Sequence, residues 1–207
     1  MLIETISVGP LETNCYVVAA GAGTSAAVID PGDDVDKILK VVNGNGLKVT
    51  HIINTHGHYD HIGADSALAA TTGAKIYIHS LDASMIKDPQ SNLSLFLNSD
   101  YEMNDEVVKI SDGEELVVGG LKLKIIHTPG HTPGGISLFL HGRLFVGDLI
   151  FSGSVGRTDL EGGDFSALMS SISKIILEYP DDTIIYPGHG PATTIGAEKQ
   201  NNPYIKQ

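Results

Sequence analysis

The sequence predicts an α/β sandwich: two β-sheets packed on each other, with helices on the outside. Three observations predict it. Short apolar runs recur along the chain, parted by Gly, Pro and Asn turn signals. Strand-rich stretches are each closed by a helical pattern, and this rhythm occurs in two halves. No linker or low-complexity segment interrupts it.

The elements follow in order. "LIETISV", "CYVVAA" and "AAVID" read as strands. Asp33 and Asp34 then stand where a helix cap belongs, ahead of apolar Val35, Ile38, Leu39 and Val42 at i, i+3, i+4 and i+7. "LKVTHIIN" is a buried strand, "ADSALAATTG" a small-residue helix ending at Gly73, and "KIYIH" another strand. Residues 88–105 are the least regular stretch and read as a lid or binding loop, with Phe96 and Tyr101 as candidate substrate contacts or loop-packing residues. "EVVKI", "EELVVGG", "LKLKIIH", "GISLFL" and "RLFVGDLI" are the strands of the second half. In "LKLKI" apolar residues alternate with Lys122 and Lys124, so one face is wet. Asp164 caps an amphipathic helix with Phe165, Leu168, Met169, Ile172, Ile175 and Ile176 on one face, and "TIIYPGHG" carries the last strand.

Composition narrows the function. The 207 residues give one domain or at most two small ones, and the 42% hydrophobic content is that of an ordinary globular protein. The net charge of −12 opposes nonspecific binding to nucleic acid or anionic membranes. The one cysteine, Cys15, forms no internal disulfide and reads as a buried small hydrophobe. The N-terminus lacks a basic and apolar leader pattern, and no run approaches a membrane span, so a cytoplasmic setting is expected.

The chemistry concentrates in "HGHYDH", which supplies His56, His58, Asp60 and His61. At this chain's own His and Asp frequencies such a pattern arises by chance with odds on the order of 10⁻³. Side chains at i and i+2 of an extended segment share a side, so His56 and His58 can grip one ion, while Asp60 and His61, displaced around the turn, can reach a second. His131 in "HTPGHTPGG", Asp148 in "FVGDLI" and His189 in "YPGHG" each stand where a strand ends and a loop begins, where functional groups sit on a rigid scaffold. Imidazole and carboxylate donors suit zinc, iron or manganese, and spacing does not choose among them. Gly130, Gly134, Gly135, Gly188 and Gly190 flank these residues where tight turns need unusual backbone angles. His51, His79, His127 and His141 lie outside the set, His51 and His127 as structural hydrogen-bonding residues, with His127 also a candidate partner of a ligand. Tyr186 reads as a packing residue.

"THGHYDHIG", with downstream "GHTPGG", "GDLIF" and "GHG", resembles the metallo-β-lactamase superfamily over essentially the whole chain. The resemblance implies a four-layer αβ/βα sandwich, two mixed β-sheets flanked by helices, as a single domain over residues 1–207. It implies two divalent ions, zinc first, with iron or manganese as alternatives. His56, His58 and His131 would hold one ion, Asp60, His61 and His189 the other, and Asp148 would bridge them; Asp60 would also orient the nucleophile. "LETNCYVV", "IDPGD", "HTPGHTPGG" and "GRTDLEGGDF" are similar to glyoxalase II, hydroxyacylglutathione hydrolase, and its compact relatives. That implies a small-molecule thioester substrate, such as S-lactoylglutathione, cleaved by a metal-bridging hydroxide. Only 18 residues follow His189, too few for the helical region that binds glutathione in full-length glyoxalase II. Arg157 is then either an anchor for an anionic substrate group or a member of a structural salt bridge. "GRTD" and the tail "TTIGAEKQNNP" are also similar to persulfide dioxygenases, which implies as an alternative one iron held at His56, His131 and Asp148.

Overall fold

A computed structural model describes residues 1–97, 101, 103 and 105–206. The first sheet runs β1 (Leu2–Val8), β2 (Thr13–Ala19), β3 (Ser25–Ile29), β4 (Lys48–Ile53), β5 (Lys75–His79) and β6 (Val107–Ile110), in that spatial order. β1 to β3 pair antiparallel and β3 to β6 parallel. The second sheet contains β7 (Glu115–Val118), β8 (Leu121–His127), β9 (Ile136–Leu140), β10 (Arg143–Gly147), β13 (Ile184–Pro187) and β14 (Thr193–Thr194). Its order is β14-β13-β10-β9-β8-β7, and β10 pairs parallel with β13. Between β10 and β13 lies a small hairpin of β11 (Ile150–Phe151) and β12 (Ser154–Val155).

The central strands of both sheets have two buried faces, which explains their nearly continuous apolar runs, whereas the edge strands leave one face wet. In β2 all seven residues are buried. Cys15, Val17 and Ala19 point to one core and Tyr16 and Val18 to another, the period-2 alternation of a strand covered on both sides. The first core lies under α1 (Val35–Gly44) and α3 (Asp65–Thr72), through Ile38, Val42 and Leu68. The second fills the space between the sheets with Ile29, Ile53, Ile125, Leu138 and Phe145. The third joins the outer face of the second sheet to α4 (Phe165–Glu178) and α5 (Ile195–Asn201). Helix, sheet, sheet and helix therefore form the four layers that the sequence implied.

Local details refine the expectations. Asp164 caps α4, its Oδ1 accepting from the Ala167 N–H at 3.0 Å. Leu168, Ile172, Ile175 and Ile176 are buried, each worth about 1.5–3 kcal/mol when fully covered, so this face holds the helix. Phe165 departs from the expectation: it is exposed at the first turn, before the helix reaches the sheet. Asp34 holds the cap position of α1 but makes no capping bond, because its left-handed backbone (φ 53°) turns the carboxylate to Gly9 N–H and Lys37 instead. Lys122 and Lys124 lie on the wet face, paired with Glu115 and Glu178.

Candidate metal centre

The seven expected residues meet at one edge of the sandwich. His56 and His58 follow β4, Asp60 and His61 lie in the one-turn helix α2 (Tyr59–Ile62), and His131 sits in the β8–β9 loop. Asp148 follows β10, and His189 follows β13. Backbone bonds from Ile136 N–H to Thr55 O (2.8 Å) and from Asn14 N–H to Gly188 O (2.7 Å) tie the two sheets together there.

Three overlapping groups result: His56, His58 and His131; His56, His61 and Asp148; and Asp60, His61 and His189. Within each, one potential ligand atom per residue lies within 4.8 Å of the others. Asp148 stands between the outer two groups. Its Oδ1 is 3.5 Å from His61 Nε2, and its Oδ2 is 3.6 Å from His131 Nε2 and 3.7 Å from His189 Nε2.

The outer hydrogen bonds determine which ring nitrogens point inward with a lone pair. His61 Nδ1 donates to Asp30 Oδ2 (3.0 Å), His131 Nδ1 to Arg157 O (2.7 Å) and His189 Nδ1 to Leu11 O (3.1 Å). Thr55 Oγ1 donates to Asp30 Oδ2 and is thereby free to accept from His56 Nδ1 (3.1 Å). In its neutral form, with the tautomer assigned from its partner, each of these four rings turns Nε2 inward as the nitrogen a cation would meet. His58 is reversed, with Nδ1 2.9 Å from His131 Nε2. His56 Nε2, His61 Nε2 and Asp148 Oδ1 are buried without a hydrogen-bond partner. Lone pairs and carboxylate oxygens converging in a buried site repel one another, and a cation satisfies them all. The donor set fits divalent metal ions.

Charge is unevenly distributed across the site. Burial and the neighbouring imidazoles hold His56 well below its ordinary value and His58 down to about 3, so both are neutral at physiological pH. Burial also opposes charge on His61, but Asp60, Asp30 and Asp148 together outweigh it and raise that ring to about 10. Against burial, Asp60 and Asp148 likewise raise His189. Partial burial opposes charge on Asp60, yet His61 and His189 hold its carboxyl well below the ordinary range, and Thr13 Oγ1 donates to its Oδ2 at 3.0 Å. The Asp60–His61–His189 side is where positive charge is drawn most strongly.

Gly188 is required by close approach: a Cβ there would lie 2.2 Å from Asp148 Oδ1 and 2.8 Å from His61 Cε1. Of the flanking glycines, Gly130 (φ 139°) and Gly190 (φ 74°) have the expected positive φ, whereas Gly134, Gly135 and Gly188 do not and serve close packing instead. The Arg157 guanidinium forms a two-pronged ion pair with Asp159 (2.8 and 2.7 Å), and its backbone carbonyl, not its side chain, supports His131. Phe96 is 72% exposed; Tyr101 packs on Tyr59 and donates to Ile62 O, bracing α2. His127 touches no ligand ring: its Nε2 bonds Pro133 O and its ring stacks on His79, 4.3 Å away. Tyr186 packs on Phe145 and Tyr16. Asp30, which aligns His61, was not singled out from the sequence, although it too is an Asp ending an apolar strand, as Asp148 does.

Comparison with known proteins agrees with this geometry. A family model described as the metallo-β-lactamase superfamily matches residues 8–189. Hydroxyacylglutathione hydrolase GloC of Haemophilus influenzae is 36% identical over 216 residues, covering 99% of this chain and 98% of that protein. Among solved structures, BLEG-1 B3 metallo-β-lactamase superposes with a TM-score of 0.93 at 35% identity, covering 100% of both chains. TTHA1623 in a di-iron-bound form gives 0.87 at 34% identity, covering 97% of this chain and 99% of that one. ETHE1 from Myxococcus xanthus gives 0.81 at 32% identity, with 98% and 84% covered.

Proposed function

The chain belongs to the metallo-β-lactamase superfamily, and on that premise we propose that it is a dinuclear metallohydrolase of the glyoxalase II type, cleaving thioesters such as S-lactoylglutathione. The observation that carries this reading is Asp148 standing between a buried donor set and a half-buried one, each completed by residues from distant parts of the chain. In this reading His56, His58 and His131 hold one ion, Asp60, His61 and His189 the other, and Asp148 reaches both. Bound cations would supply a Lewis acid for the substrate carbonyl and a water whose pKa falls to about 7.

The protein's own groups do the rest. Asp30, Leu11 and Arg157 carbonyl or carboxylate oxygens keep the ring tautomers fixed, so the lone pairs stay aimed inward. Asp60, steadied by Thr13, holds its Oδ2 where it can orient the attacking water. A thioester suits such a site because a thiolate, with a parent pKa of about 8.5, leaves without a strong acid. The 36% identity to GloC across the whole chain supports the substrate class. Arg157 is offered as the anchor for an anionic group of the substrate, which would exchange with Asp159 at this exposed pair.

Zinc is the metal this reading takes first, with iron or manganese as alternatives; the similar TTHA1623 is known in a di-iron-bound form. Further parts of the reading are a cytoplasmic setting and a small-molecule substrate, with no nucleic-acid or membrane partner; no helix among the described residues is long and apolar enough to cross a membrane. The alternative is a mononuclear-iron persulfide dioxygenase, which would hold its iron with His56, His131 and Asp148 and leave Asp60, His61 and His189 outside the coordination set. The test is a parallel assay on metal-analysed protein: thioester hydrolysis with S-lactoylglutathione, β-lactam hydrolysis, and oxygen uptake with glutathione persulfide. Thioester turnover without oxygen uptake supports the proposal. Oxygen uptake with one iron per chain overturns it.

A further inference from the structure

We propose that Asp82 is a positioning residue that clasps the two ligand loops of the first metal triad and thereby determines the affinity of that ion alone. The proposal rests on reading His56, His58 and His131 as one ion's ligands.

Asp82 lies in the turn after β5, on neither ligand loop, and is fully buried. Its Oδ2 accepts from Gly57 N–H at 3.2 Å and from Thr132 Oγ1 at 2.7 Å, and its Oδ1 accepts from Gly134 N–H at 2.6 Å. Gly57 is the residue between His56 and His58, and Thr132 follows His131 directly. A single carboxylate thus joins the backbone of one ligand loop to the other loop on both sides of a turn. These are the loops that bring His58 Nδ1 within 2.9 Å of His131 Nε2. The packing leaves little slack: a Cβ on Gly134 would lie 2.6 Å from Asp82 N, and one on Gly57 would lie 2.9 Å from Met85 Cβ.

The second triad is held differently. His61 leans on Asp30, Asp60 on Thr13 and His189 on Leu11 O, and none of these contacts involves Asp82. A buried carboxylate accepting three bonds is also costly to replace, because an amide puts a donor where one of three donors already points. Asp82→Asn therefore loosens the junction between the two loops without removing any ligand.

The experiment separates the two ions. Zinc affinity is measured by chelator competition for Asp82→Asn in a His189→Ala background, which isolates the first triad, and in a His58→Ala background, which isolates the second. The proposal expects affinity to fall about 10–100-fold in the first background and to change less than about threefold in the second. Thr132→Val, which removes one of the three bonds and keeps the side-chain volume, should lower the first affinity by a smaller factor, and it carries the test if Asp82→Asn does not fold. A fall in the melting temperature of metal-free protein with both affinities unchanged, or an equal fall at both sites, would overturn the role assigned to Asp82. Failure of the parent chain to bind two zinc ions would instead remove the dinuclear reading itself.

Discussion

Asp30 and His61 form a buried pair in which the His61 Nδ1–H meets Asp30 Oδ2 at 3.0 Å, leaving Nε2 facing Asp60 and Asp148 at 3.4 and 3.5 Å. The same carboxylate accepts from the Thr55 N–H and hydroxyl, both at 2.7 Å. One group beyond the ligands therefore orients His61 and, through Thr55, His56.

Asp30→Asn is accordingly expected to lower affinity for the second ion about 10–100-fold, and for the first, through Thr55 and His56, by a smaller factor. It also leaves a buried donor facing an amide N–H₂, at a cost of about 1–3 kcal/mol. Metal titration and urea unfolding of the metal-free variant read the two effects. Unchanged metal affinity would show that His61 does not depend on Asp30.

Gly188→Ala is a test of close approach. The added methyl collides with Asp148 Oδ1 and His61 Cε1, so the ligand positions must shift. Misplacement of about 1 Å costs on the order of 10²-fold in activity, which steady-state assays would register as a fall in kcat/KM with the circular dichroism of a folded chain retained. Wild-type turnover would mean that Asp148 does not belong to the working site.

Arg157 tests substrate charge. Its pair with Asp159 is exposed, so Arg157→Ala should leave stability within about 1 kcal/mol of the parent. If the guanidinium anchors an anionic thioester, KM should rise about fivefold with kcat nearly unchanged, and a neutral thioester should show no such rise. Equal KM values for both substrates in parent and variant would assign Arg157 to the ion pair alone.

His79 makes stability depend on pH. Burial and the stacked His127 hold its pKa below the ordinary value, against the opposing pull of Asp112 and Glu114, and its Nδ1 accepts from the Leu81 N–H. Because the folded value is depressed, the contribution is complete above the unfolded His value of about 6.5 and declines as pH falls below it. His79→Asn keeps an acceptor for Leu81 but cannot titrate. Urea unfolding across that range should show a shallower acid loss than the parent, and an unchanged slope would contradict this account.

The central strands were legible because burial on both faces demands continuous apolar runs, as in "CYVVAA". The candidate ligands were legible because four stand together in "HGHYDH" and the others close apolar strands. The short elements were not: β11, β12 and β14 have two residues each, which carry no period, and α5 spans seven residues beginning Ile-Gly. Nor could spacing reveal partners made by backbone atoms. Arg157 was read for its charge, whereas its carbonyl supports His131. The failed cap at Asp34 is of the same kind, since its carboxylate accepts from the Gly9 N–H 25 residues earlier, a partner invisible in the string of letters.

The central claim is that seven side chains hold two cations in one working site. Elemental analysis of chain purified without added metal, done for the parent and for His58→Ala and paired with thioester turnover, tests it most directly. The account predicts two divalent ions per parent chain, and loss of at least one ion together with turnover in the variant. A single ion in the parent, or turnover that survives the loss of metal, would contradict it.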